Sequence, residues 1–163
     1  MTVLWFYILA IFVLSFGGVV FFGAPYLPTL DNQQKAAFNL LKLKKGQTML
    51  ELGVGDGKVA VYAAKQGIKV IGYELNPLLY LLSKIRTLRY GKQVHIIWGN
   101  FWSAKWPEAD AAYTFLLPKY MPKLHAKCLK YSCKPLRLVS VAFEIEGLTA
   151  IKSQKSVFLY EYQ

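Results

Sequence analysis

The chain has 163 residues, and no Asp, Glu, Lys, Arg or His occurs before position 31. Cysteine is scarce. Cys128 and Cys133 are the two present, and no CxxC or Cys/His cluster exists. That leaves no zinc-ligand spacing, so no metal site is expected; one disulfide between the two stays open, and in a cytosolic domain the thiols read as reduced and structural. Acids are few as well, 9 against 20 basic residues, for a net charge of +11. Such a balance suits an anionic surface, either membrane headgroups or nucleic acid, and charge alone does not choose between them. Repeats, low-complexity tracts and internal linkers are missing. With 55% hydrophobic and 18% charged residues, disorder is excluded.

What is present divides the chain in two. Residues 3–22, VLWFYILAIFVLSFGGVVFF, are uncharged and mostly apolar. As a helix they would span about 30 Å, the thickness of a bilayer's hydrocarbon core. Trp5, Tyr7 and Tyr26 stand near its two ends like interfacial aromatics, and Pro25 and Pro28 stop the helix. No basic segment precedes the run and no A-x-A site follows it, which argues against a cleaved signal peptide. Lys35, Lys42, Lys44 and Lys45 come directly after it. The expectation is therefore a single-pass membrane anchor over residues 1–30, with residues 31–163 as a domain on the cytoplasmic side.

In that domain strands and helices alternate. Asp31 reads as the N-cap of a helix over residues 32–43. Strands are expected at residues 48–52, 69–73, 94–98, 111–117, 136–143 and 157–162, with helices at 58–66 and 120–130. Asn76-Pro77 opens a further helix whose Leu78, Leu81, Leu82 and Ile85 have amphipathic spacing and are expected to face the core. In the helix at 120–130, Met121, Leu124, Cys128 and Leu129 are expected inward. Residues 144–156 read as a loop or hairpin. The pattern predicts an α/β fold, a mostly parallel sheet with helices on both faces.

The chemistry concentrates in Glu51-Leu52-Gly53-Val54-Gly55-Asp56-Gly57-Lys58, a turn between a strand and a helix. In open α/β sheets ligands bind beyond the carboxyl ends of strands, at such turns. Lys58 stands where a dinucleotide fingerprint needs glycine, and the spacing does not fit a phosphate loop. Glu51, Asp56 and Glu74 surround the presumed pocket and would repel phosphates. They suit a ligand with an ammonium, a sulfonium and a ribose diol, which is S-adenosyl-L-methionine. Glu74 follows the turn by about 20 residues, the distance at which an acid reaches ribose hydroxyls. Asn100 and Phe101, after the third strand, are expected at the adenine.

These motifs, ELGVGDGK at 51–58 and GYELNP at 72–77, together with Asn100-Phe101-Trp102 and Pro118-Lys119-Tyr120-Met121, resemble the class I, Rossmann-like methyltransferases. With the apolar leader, the chain is similar to the membrane-anchored family typified by ATP synthase c-subunit lysine N-methyltransferase. The resemblance implies a cofactor site of Glu51, Gly53, Val54, Gly55, Asp56, Gly57, Glu74, Leu75, Asn100 and Phe101. The family commonly shows Asp at the positions of Glu51 and Asn100. An acceptor pocket is expected among Phe101, Trp102, Phe115, Pro118 and Tyr120, whose rings could hold an alkylammonium by cation–π contact. The implied function is methylation of a lysine in a membrane-associated protein, with nucleic acid not expected as substrate. Two alternatives stay open: methylation of a lipid or quinone-like small molecule, and a basic binding module with a vestigial cofactor site.

Overall fold

The computed structural model describes residues 3–7, 29–131 and 135–163. Residues 3–7 are helical, and the rest of the expected membrane span lies outside the described residues. Among the described residues no helix is long and apolar enough to cross a membrane.

The domain begins with α1 (Asp31–Leu41) and then alternates β1 (Thr48–Leu52), α2 (Lys58–Lys65), β2 (Lys69–Glu74), α3 (Pro77–Thr87) and β3 (Val94–Trp98). It continues through β4 (Ala111–Thr114), α4 (Met121–Leu129), β5 (Leu136–Val141), β6 (Lys152–Gln154) and β7 (Val157–Tyr162). The seven strands form one sheet in the order β3-β2-β1-β4-β5-β7-β6. From β3 to β5 all neighbours are parallel; β7 runs antiparallel between β5 and β6. Strand order reverses between β1 and β4, so a crevice opens at their carboxyl ends. The expected α/β architecture is observed, and residues 144–156 hold the first arm of the β6–β7 hairpin.

Two apolar layers sandwich the sheet. One packs α1 and α2 through Phe38, Leu41, Ala60 and Ala63 against β-strand residues such as Met49 and Val139. The other packs Leu50, Leu52, Leu138 and Tyr160 under Met121, Leu124 and Trp106. Element ends shift slightly from expectation. Leu30, not Asp31, is the α1 N-cap; Asp31 is instead the first helical residue and pairs with Lys58 at 2.6 Å. Helix α1 stops at Leu41 because Lys42 turns left-handed (φ 48°) and donates its N–H to the Phe38 carbonyl. Strand β5 stops at Val141, where Ala142 takes φ 69°.

Two inward assignments are corrected. Leu129 at the end of α4 is exposed. On α3 the face is inverted: Leu78, Leu81, Leu82 and Ile85 point to solvent, whereas Leu79, Ser83 and Thr87 are buried. The cause is close packing on the glycine turn. A Cβ at Gly57 would lie 3.1 Å from both Cα and Cβ of Ser83, so only a small residue fits on the helix there. The buried hydroxyls are satisfied within the helix, since Ser83 Oγ donates to the Tyr80 carbonyl and Thr87 Oγ1 to that of Ser83, both at 2.8 Å.

Candidate active site

The carboxyl ends of β1, β2 and β3 lie side by side, with Glu51 opposite Gly72, Leu52 opposite Tyr73 and Glu74 opposite Trp98. After β1 the chain cannot continue in the sheet. Gly53, Gly55 and Gly57 all have positive φ (92°, 59° and 82°), a conformation costly for residues with a Cβ. The turn folds back on β2, where the N–H groups of Gly53 and Val54 both donate to the Tyr73 carbonyl. A Cβ built on Gly53 meets nothing within 4 Å, so this edge opens on space that a ligand can approach. Val54 is different: its side chain is buried in the core and lies where a Cβ on Gly72 would stand.

Two buried carboxylates face this turn. Glu74 Oε2 accepts from the Gly55 N–H and Oε1 from the Asn76 N–H, each at 2.8 Å. A carboxylate has about four acceptor sites, so capacity remains for a further donor. Burial raises the Glu74 pKa while the hydrogen bonds from Asn76, Gly55 and Leu75 oppose the rise. Glu51 is fully buried, and its Oε2 has no hydrogen-bond partner among the described residues. Desolvation pushes its pKa well up, helped by the negative charges of Asp56 and Glu74. An orphaned buried carboxylate oxygen is costly unless something fills its valence, and a cationic ligand does so.

A consequence for stability follows from Glu51. Its pKa is higher folded than unfolded, so between those values the folded state holds the extra proton. Stability is then complete below the ordinary value of 4.5 and falls as pH rises through the raised one. Thermal melts of the cofactor-free protein from about pH 5 to pH 8 are expected to show this fall, and Glu51→Gln to flatten it.

The other expected residues are placed as follows. Asp56 is held within the protein: its Oδ1 accepts from the Lys58 N–H at 3.1 Å, and its Oδ2 pairs with Arg86 of α3. Its role in this structure is to tie the turn to α3. The Leu75 carbonyl accepts from the Trp98 indole at 3.1 Å, which links the ends of β2 and β3. Asn100 Oδ1 accepts from the Trp102 N–H at 2.9 Å and shapes the turn after β3. Phe101, Trp102 and Tyr120 form one aromatic cluster, with centroids 4.5 Å apart for the first pair and 6.0 Å for the second. Phe115 does not join it; it packs against the layer of α1 and α2, and its ring lies 6.4 Å from Phe143 of the other layer. Pro118 is exposed and starts the short 3₁₀ turn Pro118–Tyr120.

Three contributors were not singled out from the sequence as site residues. Asn76 is buried, donates to Glu74 and caps α3 through Oδ1, which accepts from the N–H groups of Leu78 and Leu79. Thr29 anchors the start of the domain to the site by a 3.2 Å bond from the Tyr113 hydroxyl. Lys127 donates to the carbonyls of Trp102 and Ala104, both at 2.9 Å, and lies 5.1 Å from the Trp106 ring centroid. Desolvation lowers its pKa. A signal for it existed: Lys127 stands one turn from Leu124 and next to Cys128, at the border of the buried face. Lys127→Met is expected to keep the apolar stem, free the 100–106 loop and cost about 2 kcal/mol, read by urea denaturation.

Comparison with known proteins places this geometry. A family model described as the ANTKMT methyltransferase domain matches residues 51–152, from Glu51 through the β6 start. The chain belongs to this family of methyltransferase domains. Membership makes S-adenosyl-L-methionine the cofactor, as the acid-lined turn indicated. The ATP synthase c-subunit lysine N-methyltransferase of Xenopus laevis is 32% identical over 105 residues, covering 63% of this chain and 46% of that protein. A protein-lysine N-methyltransferase of Saccharolobus islandicus is 30% identical over 127 residues, covering 76% of this chain and 79% of that one. The chain thus spans about half the length of the frog relative. An RNA methyltransferase from Salinibacter ruber, solved with S-adenosyl-L-homocysteine, superposes with TM-score 0.75 at 20% identity, covering 83% of this chain and 92% of that one. At that identity the likeness concerns the fold.

Proposed function

We propose that this methyltransferase domain transfers a methyl group from S-adenosyl-L-methionine to the ε-amine of a lysine in a membrane-associated protein. The observation that carries the proposal is the pair of buried carboxylates at the glycine turn: Glu74, organised by two backbone N–H groups, and Glu51, with one oxygen unpartnered. The frog and archaeal relatives are both named as lysine methyltransferases, which supports the choice of acceptor.

The bound cofactor supplies an electrophilic methyl group on a sulfonium, so the protein's task is positioning and desolvation. Glu74 would accept the ribose hydroxyls through its remaining lone pairs, and Glu51 would face the cofactor's cationic end. Gly53, Gly55 and Gly57 let backbone approach closely, with Val54, Asp56 and Leu75 holding the turn and the strand ends in place. Asn100 and Phe101 would border the adenine. A lysine acceptor must be neutral to attack. The aromatic cluster carries lysines: Lys123 Nζ lies 4.7 Å from the Trp102 ring centroid and Lys119 Nζ 4.9 Å from that of Tyr120. These rings therefore accept ammonium groups, and nearby positive charge lowers the pKa of an incoming amine.

Residues 1–30 serve as the membrane anchor in this proposal, holding residues 31–163 at the cytoplasmic face and concentrating the enzyme near membrane proteins. Incubating the full chain with radiolabelled methyl donor and host membranes is expected to label a protein on lysine. Label recovered in lipid or a small molecule would transfer the assignment to the second acceptor class. Failure to bind S-adenosyl-L-methionine by calorimetry would leave a binding module.

A further inference from the structure

We infer that the outward face of α3 is a lipid-docking ridge through which the domain itself rests on an anionic bilayer surface, separately from any anchor in residues 1–30. The ridge consists of Leu78, Leu81, Leu82 and Ile85, extended by Leu88 at the helix end and by Trp98 from the edge strand β3. Their exposure runs from 37% for Leu78 to 77% for Leu88, with Trp98 at 62%. The spacing i, i+3, i+4, i+7 makes this one continuous stripe. It is far from the scattered single exposed apolar residues of an ordinary surface. Tyr80 stacks 6.3 Å from Trp98 at the border of the patch, with the amphipathic rings typical of a membrane interface.

Charge selects the occupant. No Asp or Glu occurs between Glu74 and Glu108, while Lys84, Arg86, Arg89, Lys92 and Lys105 do. Of these, Arg86 is paired with Asp56 and Lys105 lies beyond β3, leaving Lys84, Arg89 and Lys92 on α3 and the turn that follows it. An apolar stripe bordered by cations is complementary to acyl chains beneath anionic headgroups. A second copy would bring the same cations against these and be repelled. The leader of residues 1–30 has no charge for the border to recognise.

The inner face of α3 explains why such a ridge persists. Ser83 must stay small against Gly57, so the helix turns Leu79, Ser83 and Thr87 inward and leaves Leu78, Leu81, Leu82 and Ile85 outward. The same contact makes docking consequential. The helix starts three residues after Glu74, and its Arg86 holds Asp56 of the glycine turn. Lipid seated on α3 would thus orient the cofactor edge relative to the membrane plane.

Photocrosslinking tests this on the full chain, with p-benzoylphenylalanine replacing Ile85. The chain is reconstituted with phosphatidylcholine vesicles containing about 30 mol% phosphatidylserine, since each cation near such a surface contributes about five-fold in affinity. A lipid adduct is expected at position 85 and not when the probe replaces Glu161 on β7, at the other end of the sheet. Omitting phosphatidylserine, or combining Lys84→Gln, Arg89→Gln and Lys92→Gln, is expected to reduce the yield by about five-fold or more. Vesicle flotation reports separately on the anchor. Flotation without an adduct at 85 overturns the ridge and leaves the anchor standing; no flotation overturns both. A crosslinked dimer, or a crosslink from 85 to residues 1–30, also overturns the ridge, because the face then has another occupant.

Discussion

Replacing Glu74 with alanine is expected to reduce S-adenosyl-L-methionine affinity by at least about 100-fold, since two charge-assisted hydrogen bonds to a ligand diol contribute about 1.5–3 kcal/mol each. Calorimetry reads the loss. The variant should also be less stable, because the Gly55 and Asn76 N–H groups lose their acceptor. Each buried donor left unpaired costs about 1–3 kcal/mol. Glu74→Gln separates the two effects. One carboxamide oxygen still accepts from one of these N–H groups, while the charge that recognises the diol is gone. The glutamine variant is therefore expected to melt closer to wild type and yet bind as poorly as the alanine variant. Wild-type affinity in Glu74→Gln would show that this carboxylate braces the turn without touching the cofactor.

The second large effect comes from the glycine turn, where two residues with similar backbone angles should fail in different ways. Gly57→Val puts a branched side chain at φ 82° and directs it at the backbone of Ser83, 3.1 Å from the new Cβ. Strain at such a φ costs about 1–3 kcal/mol and overpacking against backbone about 1–3 more. The fold is expected to lose much of its stability, seen as a lower urea midpoint. Gly53→Ala has the same left-handed strain (φ 92°) but meets open space. Its stability cost is expected at about 1–2 kcal/mol, while the new methyl occupies the edge the cofactor must approach. Cofactor binding should weaken more than stability at Gly53, and stability should fall first at Gly57. The reverse order would place the ligand on the α3 side of the turn.

Burial also sets which other groups react. Cys128 lies on the buried face of α4 with its pKa pushed up to about 12 by desolvation, which keeps it a thiol at neutral pH. His125 is not isolated, since Nδ1 and the Tyr162 hydroxyl are 2.9 Å apart. Both belong to the packing between α4 and the last strand, and neither reaches the glycine turn.

Local chemistry made much of this protein legible before any fold was known. Strand–glycine–helix order, an acid before the first glycine and another at the end of the next strand depend only on residue type and spacing. They were enough to place Glu51 and Glu74 at one edge and to reject phosphate ligands. Alternating apolar segments likewise gave the sheet and its helices, because burial of a strand imposes its own periodicity. Side-chain pairing across the fold was not legible in this way. The amphipathic stripe of α3 carries no mark saying which side meets the protein; contact with Gly57 decided it, by admitting Ser83 and excluding leucine. In the same way Asp56 turned to Arg86, Phe115 packed against the layer of α1 and α2 away from Phe101 and Trp102, and the half-buried Lys127 bent over to hold a loop. Each outcome depends on the distance between elements far apart in sequence, and that distance exists only once the chain has packed.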